Sequence, residues 1–275
     1  MSNWKDKVVV VTGGSAGFGK AIVDEFAEAG ATVISLSRSQ HENVGNVHHV
    51  QADVSRDDSV AAAIDSILAS HQRIDVWINN VGQSIRVAFG EATIEQYREL
   101  MENNFFTAVR CSLAVLPHLE KSSGSIVHIG SLASRTGWRN IAPYVTSKHA
   151  LSGWAHQIRL ESSKNVHSLF VCPGPIRRDD SATRYQQQAR GLDESAAAPG
   201  AGVKISGLDP KKLARKIVVA IEKRKPELVV PFKSRFLFAI LQLSPRLGDW
   251  LLRKFSRWER SHTTFAGLSS FFHIE

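Results

Sequence analysis

Tyr144 and Lys148 stand four residues apart in the run Tyr144-Val145-Thr146-Ser147-Lys148, with Ser131 upstream of both. A phenol and an ammonium at that spacing share one helix face, a single turn from each other. The positive charge favours phenolate over phenol and brings the tyrosine toward the range useful for proton transfer. Alone, the pair is weak, because tyrosine and lysine meet at this spacing on many solvated helices. A hydroxyl such as that of Ser131 could hold a reacting oxygen beside them.

A phosphate site near the N-terminus gives the pair a context. Lys7-Val8-Val9-Val10-Val11 is a short β-branched run that reads as a buried strand. Thr12-Gly13-Gly14-Ser15-Ala16-Gly17-Phe18-Gly19 follows, and then a helical pattern carried by Ile22, Phe26 and Ala29, with Gly30 as its stop. Strand, glycine-rich turn and helix in this order let backbone approach a pyrophosphate while the helix start offers free N–H groups.

Together these residues resemble the short-chain dehydrogenase/reductase family, in its short rather than extended branch, from about Lys5 to about Pro231. The turn pattern Thr-Gly-x-x-x-Gly-x-Gly is met by Thr12, Gly13, Gly17 and Gly19, with Phe18 where isoleucine is usual. The resemblance assigns the catalytic roles to Asn104, Ser131, Tyr144 and Lys148. Asn79-Asn80-Val81-Gly82 is similar to the family's Asn-Asn-Ala-Gly element, and Cys172-Pro173-Gly174-Pro175-Ile176 to the segment that packs against nicotinamide. Arg178 replaces a threonine common in the family. The implied reaction is hydride transfer between nicotinamide and a carbonyl or alcohol carbon. Ser131 would hold the carbonyl oxygen and Tyr144 would donate the proton. Lys148 would tune Tyr144 and grip the nicotinamide ribose, and Asn104 would hold a water linking Lys148 to solvent.

Positioning such a site takes a scaffold, and the chain alternates strand with helix throughout. Further strands are expected at Ala31–Leu36, Val47–Val54, Ile74–Ile78, Ser125–Ile129 and Val166–Val171. Ser55 is read as capping the helix after the third strand, and a long helix as running from Ile94 to about Pro117 or slightly beyond. This pattern implies a single doubly wound, Rossmann-like α/β domain over 1–233, with a parallel sheet of about seven strands and helices on both faces. Gly13, Asn80, Ser131 and Gly174 all fall just after strands, where such sheets bind ligands.

The end of the second strand bears on which nicotinamide is bound. An acidic residue there would accept hydrogen bonds from the adenosine ribose and repel a 2′-phosphate. The chain has Leu36-Ser37-Arg38-Ser39 instead, where Arg38 offers a planar charged fork and Ser37 or Ser15 a hydroxyl. NADP(H) is therefore expected over NAD(H). Asp53-Val54 resembles the family pair beside the adenine. With Val81, Gly82, Pro173 and Ile176, these residues complete the expected cofactor contacts.

The substrate is less legible. The polar segment 177–208 resembles the family's substrate loop, and Ile85, Trp138 and Tyr185 are candidate pocket walls. Arg135, Arg139, Arg177 and Arg178 fall near the mouth, where solvated surface charge is the better reading for each. The eleven histidines form no metal-ligand spacing. Cys111 and Cys172 read as buried thiols without a disulfide framework.

The basic charge is local. Between Lys204 and Arg260, fifteen Lys or Arg oppose five Asp or Glu, a surplus of ten. The chain total is +8, so the remainder carries −2. That argues against a nucleic-acid binder. Residues 234–275 read as a helical extension rather than an independent domain. Phe236–Leu241 is apolar, and Leu247, Leu251, Phe255 and Trp258 form a stripe with Arg246, Arg253, Lys254 and Arg257 off it. Two readings stay open: peripheral membrane contact through 234–260, or packing over the pocket or a partner subunit. No apolar signal region precedes the first strand, so a cytoplasmic enzyme is expected. By resemblance it is a homodimer or homotetramer, using the helices that carry Phe105, Leu113, Leu151 and Trp154. The partner is a small carbonyl or alcohol substrate, with a lipid or steroid alcohol and a non-catalytic NADP(H) binder as alternatives.

Overall fold

A computed structural model of the chain describes residues 4–178, 189, 191–192, 194–197 and 207–255. One sheet is built from β1 (Val8–Thr12), β2 (Thr32–Ser37), β3 (Val47–Gln51), β4 (Val76–Asn79), β5 (Ser125–Ile129), β6 (His167–Pro173) and β7 (Glu227–Val230). Their order is β3-β2-β1-β4-β5-β6-β7 and every pairing is parallel. The larger helices are α1 (Gly17–Glu28), α2 (Asp57–His71), α3 (Ile94–Met101), α4 (Thr107–Ser122), α5 (Ala142–Glu161) and α6 (Pro210–Glu222). A helical hairpin, α7 (Ser234–Leu243) and α8 (Pro245–Phe255), follows β7. This is the seven-stranded doubly wound fold that the alternation predicts.

The valine run of β1 serves both layers. Val9 and Val11 pack with Ile22 and Phe26 of α1 and Ile217 and Ile221 of α6 on one face. Val8 and Val10 pack with Ile64 and Ile67 of α2 and Val115 and Leu119 of α4 on the other. Successive strand side chains point opposite ways, so a strand covered on both faces reads as continuously apolar. Phe26 is fully buried and meets Trp4 edge-on, with ring centroids 4.9 Å apart. Its burial contributes about 2–3 kcal/mol.

Some local expectations are corrected. Ser55 does not cap α2. Arg56 is the N-cap residue, and the Ser55 hydroxyl and N–H instead donate to Asp53 Oδ1 at 2.7 and 3.0 Å. That turn takes the chain off the sheet, which is why β3 ends at Gln51 rather than Val54. The helix expected from Ile94 is interrupted by a π-helical segment, Glu102–Phe106, and α4 then continues through Pro117 to Ser122.

The strand order reverses at β1, whose neighbours β2 and β4 lead away to opposite edges. Such a reversal opens a crevice beyond the strand ends. The segments after β1, β4, β5 and β6 converge on it.

Candidate active site

The crevice begins with the turn after β1. Gly13 and Gly17 adopt left-handed φ values of +65° and +55°. A Cβ on Gly19 would lie 2.0 Å from Gly13 O, so only glycine lets α1 start this close to the turn. Thr12 ties the turn to the next strand. Its Oγ1 accepts the N–H groups of Asn80 and Val81 at 2.9 and 3.2 Å, and Asn80 Nδ2 donates to Thr12 O at 2.9 Å. The bare backbone and the start of α1 fit the pyrophosphate of a dinucleotide, with Ser15 and Phe18 flanking it. Ser37 and Arg38 stand at the end of β2, with Arg38 exposed. Asp53 and Val54 lie across from them, after β3. Asp53 is held below the usual carboxylate range by its hydrogen bonds from Ser55, with a smaller contribution from Arg38.

Asn104 occupies the π segment between α3 and α4. There its Oδ1 accepts Gln83 N–H at 2.7 Å, and its Nδ2 donates to Gln83 O and Ser147 Oγ, each at 2.9 Å. Ser147 Oγ in turn donates to Tyr144 O at 2.8 Å. One amide side chain thus fixes the strand-end segment after Gly82 against α5. A π turn changes the facing of a helical residue, and such turns recur at functional sites. The Asn104 side chain is fully engaged by these protein partners.

Lys148 is buried, at 4% exposure, and its Nζ donates to Ile129 O at 2.9 Å. Burial lowers its pKa from 10.5 to about 8, so the ammonium persists at neutral pH. Nζ lies 5.9 Å from the centroid of the Tyr144 ring. Gly82 makes room for the arrangement: a Cβ there would approach Asn104 Oδ1 at 2.8 Å and Lys148 Nζ at 3.3 Å. Ser131 begins a short 3₁₀ turn after β5, where its Oγ accepts Ala133 N–H at 3.1 Å. An accepting hydroxyl still has its own O–H to donate.

Ser131, Tyr144 and Lys148 line one cleft with Phe18, Asn80, Gly82, Pro173, Gly174, Ile176 and Trp138. Ile85 is not among its walls, whereas its neighbours Ser84 and Arg86 are. Tyr185 lies outside the described residues, as does most of 177–208. Arg135 and Arg177 are engaged by carboxylates, Glu227 at 2.7 Å and Asp209 at 2.9 Å. Arg178 lines the cleft and reaches over Gly17, where an added Cβ would lie 3.7 Å from its guanidinium.

Arg86 was not anticipated. It is buried, and its Nε donates to Ala196 O at 3.0 Å, tying the cleft wall to the short 3₁₀ turn Glu194–Ala197. No periodicity marks the segment that carries it. Beneath the cleft, His128 is fully buried with Nδ1 3.3 Å from Asn79 Nδ2, while Nε2 has no hydrogen-bond partner. Burial, then the nearby Lys148 charge, push it down to about 3, so it is neutral at any ordinary pH.

The fold and crevice define a nicotinamide-dependent oxidoreductase, and similarity to known proteins gives the family. The model of the short chain dehydrogenase family matches residues 7–189, and the chain belongs to that family. It is 30% identical to a 3-ketodihydrosphingosine reductase of Bacteroides thetaiotaomicron over 89% of this chain and 93% of the relative. It is 32% identical to dehydrogenase/reductase SDR family member 7B of Danio rerio, over 83% of this chain and 78% of that one. The ligand-free aldohexose dehydrogenase of Thermoplasma acidophilum superposes with a TM-score of 0.72 at 28% identity, covering 83% of this chain and 94% of that structure.

Proposed function

We propose that this chain is an NADP(H)-dependent oxidoreductase acting on a ketone or aldehyde, or on a secondary alcohol in reverse, with Tyr144 as general acid and base. The observation that carries this reading is the convergence of Ser131, Tyr144 and a buried, charged Lys148 on one cleft beside the glycine turn. When bound, the nicotinamide supplies or accepts the hydride. In the reducing direction, Ser131 donates a hydrogen bond to the carbonyl oxygen and orients it. Tyr144 gives that oxygen its proton as negative charge develops. The ammonium of Lys148 favours the phenolate left behind. Asn104 acts as a positioning residue, holding the backbone of Gln83 and the side-chain hydroxyl of Ser147.

The preference for NADP(H) rests on Arg38. No carboxylate ends β2, and a guanidinium at that position suits a 2′-phosphate. A screen of NADPH oxidation against short ketones, quinones, long-chain ketones and acyl-carrier substrates tests the reading. No consumption with any of them, together with no NADPH binding, would overturn it.

A lipid, sphingoid or steroid substrate is the second reading. It is favoured by the relative named as a 3-ketodihydrosphingosine reductase and by the apolar hairpin after β7. Homo-oligomerisation through α4 and α5 is supported by exposed Leu113 and Leu160. Leu151, expected at that contact, is buried in the core, and Trp154 is partly buried with its Nε1 donating to Ser112 Oγ.

A further inference from the structure

We infer that the α7–α8 hairpin is a docking surface for an anionic lipid bilayer. The hairpin is a packed unit: Gly248 lies so close to Leu241 that a Cβ there would meet the Leu241 Cα at 2.8 Å. That contact covers the inner faces of the two helices and leaves large apolar side chains outside. Phe232 and Phe236 are 62% and 65% exposed, Leu243 is 87% exposed, and Trp250 is 54% exposed. Phe232 and Phe236 meet edge-on, with ring centroids 6.1 Å apart, and Leu243 and Trp250 add further exposed apolar surface to the same hairpin.

Cations are interleaved with the apolar groups. Lys254 Nζ lies 4.9 Å from the Trp250 ring, and the Arg235 guanidinium 5.8 Å from that of Phe232. Across 231–255 the cations are Lys233, Arg235, Arg246, Arg253 and Lys254, and Asp249 is the one acid. Aromatic rings carrying adjacent cations suit the headgroup boundary, where the ring enters the acyl region and the charge stays with phosphate. No described helix is long and apolar enough to cross a membrane, so the hairpin lies on the surface. A second copy of the chain is a poorer occupant. A two-fold contact would bring the same cationic surplus from both subunits together, whereas an anionic surface takes both the apolar and the charged groups.

The position of the hairpin is consistent with work at a membrane. It leaves the sheet after Val230, which pairs with Pro173 of the cleft wall. Glu227 holds Arg135, next to the Ser131 turn, at 2.7 Å and Arg235 of α7 at 3.4 Å. Docking would therefore set the cleft close to lipid. The inference does not require the substrate to be a lipid.

Co-sedimentation of the full chain with vesicles tests it, using phosphatidylcholine alone and phosphatidylcholine with about a third phosphatidylglycerol. The wild type is expected to pellet with the anionic vesicles and much less with the neutral ones, and less as salt rises. The double variant F236E/W250E, at two exposed positions, should pellet at least about fivefold less. Its thermal melt and NADPH binding should match the wild type, which keeps this result separate from any failure of the reductase reading. Wild-type protein staying in the supernatant, or equal pelleting of both forms, would overturn the inference. So would a lower sedimentation coefficient for the variant with no vesicle binding by either form, which would assign the face to a second copy.

Discussion

Lys148 Nζ lies 5.9 Å from the ring centroid of Tyr144 while donating to Ile129 O at 2.9 Å. The lysine is thus held by the end of β5 rather than by its own helix, and it carries its charge at a position only 4% exposed. The folded protein binds this proton less tightly than the unfolded chain does, because burial lowers the pKa from 10.5 to about 8.

That difference has a definite sign. Below pH 8 both states are protonated and the folded state bears the full desolvation cost. Between pH 8 and 10.5 the unfolded chain holds the proton while the folded protein releases it, so stability rises with pH. In cofactor-free protein, wild type should gain on Lys148→Met across this window by roughly 3 kcal/mol. Denaturant melts of both forms at pH 7 and pH 10 measure it; a constant difference between them would contradict the buried ammonium.

Gly19→Ala should disrupt the dinucleotide turn, because its Cβ would fall 2.0 Å from Gly13 O. The Gly13 backbone O and C, at 2.0 and 2.9 Å, cannot swing aside as the end of a flexible side chain could. NADPH affinity is expected to drop by about tenfold or more, with a stability loss of about 1–3 kcal/mol. Fluorescence titration of NADPH on the folded fraction checks it, and unchanged affinity would show that the turn does not hold the pyrophosphate.

Arg38→Asp should weaken NADPH by about tenfold to a hundredfold and leave NADH unchanged or tighter, since a charge-assisted bond to the 2′-phosphate becomes repulsion. Parallel titrations with the two cofactors give the answer. Equal losses for both would remove Arg38 as the discriminating residue.

Asn104→Ala should leave Gln83 N–H, Gln83 O and Ser147 Oγ without their partner, a loss of about 1–3 kcal/mol. Asn104→Asp should not restore it, because a carboxylate accepts but cannot donate to Gln83 O and Ser147. Urea denaturation of the two variants distinguishes this bidentate role from simple space filling.

These residues differ in how readily the sequence revealed them. The β-branched runs and Gly-rich turn specify strand and crevice by local chemistry, so the sheet and the placement of Gly13, Asn80, Ser131 and Gly174 were readable. Asn104 was found only through family resemblance, and its π turn was not: helical periodicity cannot show a one-residue insertion that keeps the apolar face buried. Arg86 and the bond to Ala196 depend on a contact between segments more than a hundred residues apart, which no local pattern encodes. The apolar run Phe236–Leu241 was visible, but which of its side chains face outward was decided by the close approach of Gly248 to Leu241.

Proton transfer by Tyr144 is the step on which the proposed reaction depends. Single-turnover reduction of an accepted ketone by Tyr144→Phe, alongside NADPH titration of the same preparation, tests it most directly. A rate loss of at least about a thousandfold is expected, with NADPH affinity within about threefold of wild type. Reduction at a rate near that of wild type would contradict it.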